Sequence, residues 1–293
     1  MFNLKPKWSA GGWTLHCVQA SSPADAGSAE DTTEISVVVE PPRETAIVSG
    51  PVWSHHSDGS VVLTLPGLGS ATIHGGNRVI ITPAPDADAE TWQLLIEGPV
   101  LAVLQRQRGL LPLDGAAVGW RDGALLIVGP SGQGKSSLAA AMAIRGFPFL
   151  ADGVLGVDVS NNRLAQGAKQ LRLWRRPAEA LGIDLTASRP VRQGVARMDL
   201  DWLSDVSDAP WQINGIVLVS ERIDTPSCIP ISAAGGAAWL MASLWARLAF
   251  DDDAALLAQA VALVSRVPCW KLAPAQGVKH LAETASSIAT ALT

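Results

Sequence analysis

Tyrosine is absent from this 293-residue chain, and phenylalanine and cysteine are scarce at four and three copies. Tryptophan, by contrast, occurs 11 times, a bias with no evident physical cause. The cysteines, Cys17, Cys228 and Cys269, are odd in number, far apart and form no C-x-x-C pair. That excludes a disulfide framework or a thiolate zinc site as the organising element and favours a reducing compartment. Basic residues are in the minority, 22 Lys+Arg against 27 Asp+Glu for a net charge of −5, so a nucleic-acid-coating surface is not expected. Residues 1–8 lack the apolar run of a signal peptide. The most membrane-like stretch, 233–250, is rich in Ala and Gly, contains Arg247, and reads as a buried helix rather than a span. The expected setting is cytoplasmic, with neither membrane nor nucleic acid as partner. Apolar residues make up 48 %, enough for a sizeable core, so global disorder is excluded.

What is present divides the chain in two. Residues 1–110 hold 6 basic and 11 acidic residues, whereas 111–293 hold 16 of each. The first part reads as short strands at 34–40, 61–65, 71–74, 78–82 and 92–96, separated by Gly, Pro and Asp, with a small, acidic loop at 21–33. This spacing predicts a small antiparallel β domain over residues 1–98. A helix over 98–109 opens the second domain, 99–293. There Asp122-Gly123 marks a hairpin between the strands 116–121 and 124–128. Further strands are expected at 154–159 and 213–220, and helices at 237–250, 254–266 and 278–292, with Asp251-Asp252-Asp253 as a break between the first two. The fold class is α/β with α+β character.

The strand 124–128 runs into Gly129-Pro130-Ser131-Gly132-Gln133-Gly134-Lys135-Ser136, a full match to G-x-x-x-x-G-K-[ST], and a helix over 137–144 follows. Glycines let such a loop turn successive N–H groups onto phosphate oxygens, and the helix dipole adds to their pull. Lys135 suits the β/γ-phosphates, the Ser136 hydroxyl suits Mg²⁺, and Gly129 to Ser137 are the nucleotide-binding candidates, with ATP and Mg²⁺ as the expected ligands. A bare strand-to-helix turn is the bland alternative.

Phosphoryl transfer also needs a metal-side carboxylate and a group that orients the acceptor. Asp152 closes the short apolar run 147–151 and is expected on a strand beside the loop strand, near the γ-phosphate; a loop aspartate capping backbone N–H groups is the alternative. Glu221 is a second candidate that equally well pairs with Arg222 or faces solvent. Residues 160–200 carry eight basic side chains against three acidic ones, including Arg172, Arg175 and Arg176 around Trp174 and Arg189, Arg192 and Arg197 along an expected loop. Such a run draws phosphates or an acidic substrate, or is simply a solvated face. The histidines, His55, His56, His74 and His280 among them, lack metal-ligand spacing.

Leu110 to Val118, the hairpin, the phosphate loop and Arg145-Gly146-Phe147-Pro148-Phe149-Leu150-Ala151-Asp152 together resemble the C-terminal domain of HPr kinase/phosphorylase. The likeness is nearest to the divergent relatives that accompany lasso-peptide and other peptide-maturation genes, and Gln170-Leu171-Arg172-Leu173-Trp174 shares it. The resemblance covers about 100–275. It implies a P-loop kinase of HPr-kinase type, with the loop set in a mixed or antiparallel sheet behind a small β-rich domain. It further implies ATP and Mg²⁺, a Ser or Thr hydroxyl of a peptide or small protein as acceptor, Asp152 as the base that orients and deprotonates it, Ser136 and Asp152 on the metal, and self-association by analogy. Two positions depart: the family has histidine where this chain has Asp114, and a second aspartate where it has Gly153. Asp114 is then the supporting carboxylate from the neighbouring strand, and Arg197 a candidate contact for acceptor or phosphate. Beside the kinase stand two other readings, a nucleotide-binding regulator or scaffold that has lost catalysis, and a small-molecule kinase.

Overall fold

The computed structural model describes residues 4, 7–10, 13–19, 34–43, 49–191, 195–200, 210–245, 247–250 and 252–293. The acidic loop at 21–33, Arg192 and Asp251 lie outside the described residues. Contacts divide the chain into two units, Met1–Pro112 with Trp245–Asp251, and Leu113–Leu244 with Asp252–Thr293. The helical stretch after residue 98 falls with the first unit.

In the first unit, β1 (Lys7–Ala10), β2 (Trp13–Gln19), β3 (Glu34–Val39), β4 (Val52–His55), β5 (Val61–Leu65), β6 (Gly69–His74) and β7 (Arg78–Pro83) form one sheet in the order β1-β2-β3-β7-β6-β5-β4. Burial alternates along β5, β6 and β7 with the period of two that a one-sided core demands. The expected all-antiparallel arrangement is corrected: β2–β3 and β3–β7 run parallel. Period two fixes the face a side chain takes and is silent on strand direction. Parallel neighbours need a crossover of about a dozen residues or more, a length that 20–33 supplies between β2 and β3.

The expected strand at 92–96 is also corrected. It belongs to α1 (Ala89–Leu95), followed by a π turn (Ile96–Val100) and α2 (Leu101–Gln107). The Asp88 carboxylate accepts from the N–H groups of Glu90 and Thr91 at 3.1 and 3.2 Å, an N-cap that decides for helix. Pro99 lies inside the π turn, where the widened ladder tolerates its missing N–H. Trp92 is fully buried and donates from Nε1 to the Leu68 carbonyl at 3.0 Å.

The second unit contains β8 (Leu111–Trp120), β9 (Gly123–Val128), α3 (Lys135–Ile144), β10 (Phe149–Asp158), β11 (Arg163–Ala168), β12 (Leu171–Trp174), α4 (Arg175–Ala180), β13 (Arg189–Pro190), β14 (Arg197–Leu200), β15 (Trp211–Val219), β16 (Ser227–Pro230), α5 (Ala233–Ala242), α6 (Asp253–Val264), β17 (Cys269–Ala273) and α7 (Leu281–Ala291). Its main sheet has the order β11-β10-β8-β9-β15-β17-β16, and a small sheet the order β12-β14-β13. The main sheet is mixed: β9, β15 and β17 are mutually parallel, while β8–β9, β10–β11 and β16–β17 are antiparallel. The protein is therefore mixed α/β.

β9 is buried along its whole length, as a central strand covered on both faces must be. On one face Val118, Leu125, Ile127 and Val217 join a core with Leu138 and Met142 of α3, Leu171 and Leu173 of β12, and Ile288 of α7. Helices α5 and α6 pack against each other, and α5 also packs against β15 and β17. Trp120 pairs with Gly123 across the hairpin, so the two turn residues are Arg121 and Asp122 at φ 49° and 59°, the handedness that suits the strand twist. The expected helix over 237–250 instead ends at Ala242, because the Ser243 carbonyl is engaged by the Asp114 N–H at 2.7 Å rather than by a following turn. Among the described residues no helix is long and apolar enough to cross a membrane.

Candidate functional site

The site forms at the C-terminal end of β9, where the parallel partner β15 ends alongside it, the place in open α/β sheets where ligands collect. Gly132 and Gly134 take φ of 83° and 91°, a region closed to most L-residues, and so curl the chain from β9 into α3. Helix α3 starts at Lys135 with Gly134 as a cap that offers no side chain. The first-turn N–H groups of Lys135, Ser136 and Ser137 thus lack an intrahelical acceptor.

Four side chains expected from sequence come together here. Lys135 Nζ lies 3.0 Å from Asp114 Oδ2 and donates to the Pro130 carbonyl at 2.9 Å. Both partners are largely buried, at 7 % and 16 % side-chain exposure, so the pair is poorly screened by solvent. Ser136 Oγ donates to Asp152 Oδ1 at 2.8 Å, and the Arg172 N–H donates to Asp152 Oδ2 at 3.1 Å. Burial raises the Asp152 carboxyl above its ordinary pKa, opposed by those two hydrogen bonds and by the charges of Arg197 and Arg172. Burial likewise raises Asp114, opposed by Lys135 and more weakly by Arg197. A carboxylate paired at 3.0 Å with a lysine and still raised is one whose desolvation outweighs its partner.

Asp152 is not on a strand beside the loop strand, which corrects the sequence expectation. β10 neighbours β8 and β11, and β8 stands between it and β9. The hairpin β8–β9 occupies the position next to the loop strand, so α3 carries the chain past β8. The capping alternative holds in part, since Asp152 does accept the Arg172 N–H. Asp114 sits on β8, with its carbonyl accepting from the Gly129 N–H at 3.4 Å.

Arg197 acts electrostatically on both carboxylates, while its Nε is buried without a hydrogen-bond partner among the described residues. An orphaned buried donor is costly unless an acceptor comes to meet it. Glu221 is exposed, the solvent-facing alternative given for it above. Its neighbour Arg222, named from the sequence only as a partner for Glu221, reaches the loop instead, with Nη2 3.4 Å from the Gln133 carbonyl. Its position just past the end of the expected strand at 213–220 was the available signal. Gly153 takes φ 96°, beside the register shift between Asp152 and Gly156, so glycine there serves the backbone. Among the described residues no group of three or more His, Cys, Asp or Glu side chains gathers as a metal site. His55 and His56 are exposed, and His280 pairs with Glu283 at 2.9 Å.

No protein-family model matches the chain, and no curated protein sequence matches it.

Proposed function

We propose that the second unit binds ATP with Mg²⁺ and transfers the γ-phosphoryl group to a Ser or Thr hydroxyl of a peptide or small protein. The observation that carries this reading is the Ser136 Oγ to Asp152 Oδ1 contact of 2.8 Å at the foot of an uncapped helix. A loop hydroxyl joined to a strand carboxylate is the donor set that holds Mg²⁺ in phosphate-loop enzymes, where one or two carboxylates and the substrate phosphates complete the shell. The residues present therefore fit the metal, with Ser136 and Asp152 as its protein ligands. When bound, Mg²⁺ offsets the negative charge that develops on the transferred group.

The chain's own residues supply the rest. The N–H groups of 131–137 cradle the phosphates, and Lys135 leaves Asp114 to reach the β/γ-oxygens. The Asp152 carboxylate, made more basic by burial, accepts the acceptor's proton as its oxygen bonds to the γ-phosphorus. The bond to the β–γ bridging oxygen breaks, and that electron pair leaves with ADP. Asp114 supports the second cation-facing side, and Arg197 neutralises charge on phosphate or acceptor. The mixed sheet and the quoted motifs support an HPr-kinase type of domain.

Titration calorimetry of Mg·ATP on the full chain tests the reading. Wild type should bind, and Lys135→Ala should bind at least about tenfold more weakly, the value of one charge-assisted phosphate contact. Asp152→Asn should retain much of the binding and lose roughly 10²–10⁴-fold in transfer. A folded wild type that does not bind Mg·ATP overturns the proposal. Gly153 favours a second reading, a nucleotide-binding regulator without catalysis, because its backbone denies the site an adjacent second carboxylate; binding without any ATP consumption in the presence of the acceptor would select it.

A further inference from the structure

We infer that the outward face of the small sheet β12-β14-β13 docks the acceptor, and that the acceptor is a peptide segment bearing carboxylates near its hydroxyl. The inference rests on the kinase reading of the adjacent site. In the antiparallel pair β12–β14, Leu171 stands opposite Leu200 and Leu173 opposite Met198, all four buried. Side chains alternate across a strand, so the intervening pairs, Arg172 with Asp199 and Trp174 with Arg197, share the other face. Arg189 of β13 also pairs with Asp199 and joins them. The face thus carries three arginines and one aspartate, and that aspartate is already held by Arg172 at 2.9 Å.

Three further observations point to a ligand. Trp174 leaves 54 % of its surface in solvent on a four-residue strand, an expensive exposure for the largest side chain. The Arg197 Nε is buried and unpartnered among the described residues. The face also adjoins the reacting end of the site, since the Arg172 N–H holds Asp152 and the Arg197 charge acts on Asp152 and Asp114. Arginines spread along strands, rather than gathered in one pocket, match an extended chain that presents several carboxylates, each able to take a guanidinium fork. An exposed indole beside them supplies the apolar anchor common at such surfaces.

The test uses the full chain and three fluorescein-labelled peptides of equal length, with Ser alternating with Glu, Gln or Lys, read by fluorescence anisotropy at low and physiological salt. The Glu–Ser peptide should bind most tightly, weaken as salt rises, and lose at least about fivefold with Arg189→Glu or with Trp174→Ala. Mg·ATP binding, read separately by calorimetry, should be unchanged in Arg189→Glu, which also shows that this variant is folded. Equal binding of the three peptides, or Glu–Ser binding indifferent to both substitutions, overturns the inference. A chain that binds the Glu–Ser peptide through Arg189 and does not bind Mg·ATP overturns the kinase reading and leaves the acidic-peptide surface standing.

Discussion

Replacing Asp152 by asparagine or by alanine separates what its charge does from what its shape does. The carboxylate is 5 % exposed and accepts two hydrogen bonds, from Ser136 Oγ at 2.8 Å and from the Arg172 N–H at 3.1 Å. Asparagine keeps an acceptor for the N–H and a polar neighbour for the hydroxyl. Alanine leaves the N–H without a partner in the interior, a loss of roughly 1–3 kcal/mol, and a smaller loss at the half-exposed Ser136. Asp152→Ala should therefore melt at least about 2 °C below Asp152→Asn, each kcal/mol being worth roughly 2–4 °C in a unit of this size. The charge acts in the opposite direction. Burial raises the folded-state pKa, so the folded chain holds this proton more tightly than the unfolded chain, and stability falls as pH rises through the ordinary carboxylate range. Asparagine has no such penalty. Asp152→Asn should match or exceed wild type in Tm at pH 7, with the advantage shrinking as pH falls to about 4, where the unfolded carboxylate is itself protonated. Scanning calorimetry of the three proteins at both pH values reads this directly. An Asn variant less stable than wild type at pH 7, or a difference independent of pH, would refute the claim that the site stores an unfavourable buried charge.

Two smaller predictions follow from geometry. Gly153 has φ 96° and open space where a Cβ would stand, so Gly153→Ala should cost backbone strain alone, roughly 1–2 kcal/mol, and lower Tm by about 2–8 °C; an unchanged melting temperature would show the backbone free to relax. Burial pushes the thiols of Cys17 and Cys228 up to about 11 and that of Cys269 up to about 12. Native protein at pH 8 should then be alkylated slowly by iodoacetamide and rapidly after unfolding in guanidinium, and rapid labelling of any native cysteine would contradict its burial.

The glycine-rich turn from β9 into α3 was legible because its residues are chosen by local conformation: Gly132 and Gly134 are needed where φ is positive, whatever packs around them. The hairpin at Asp122-Gly123 was legible for the same reason, although its register shifts the turn to Arg121-Asp122, held by Asn214 Nδ2, which donates to the Trp120 and Arg121 carbonyls at 3.2 and 2.6 Å. Strand direction was not legible. β2, β3 and β7 are parallel through long connections, and nothing in a five-residue apolar alternation encodes a partner distant in sequence. The stretch 92–96 misled because four apolar residues around Gln93 are too short a run to settle the period; the deciding residue was Asp88, four positions earlier. The convergence of Asp114, Lys135, Asp152 and Arg197 lay between these extremes. Each residue type was visible, but β8 between β9 and β10 could only be seen in the sheet order.

That sheet order also bears on Asp114 and Gly153. Here one carboxylate, Asp152, remains on β10, Gly153 follows it, and the other carboxylate, Asp114, stands on β8. The two strands thus bring two carboxylates to the loop. In this chain they face two cations, Lys135 at 3.0 Å from Asp114 and Arg197 acting on both, while the Arg172 guanidinium is committed to Asp199. Gly153 answers to the backbone, with a φ of 96° and nothing within 4 Å of where a Cβ would stand. Asp114 touches Lys135 at 3.0 Å, so in the proposed kinase a phosphate would compete with Asp114 for that ammonium, which would tie entry of nucleotide to release of an internal ion pair.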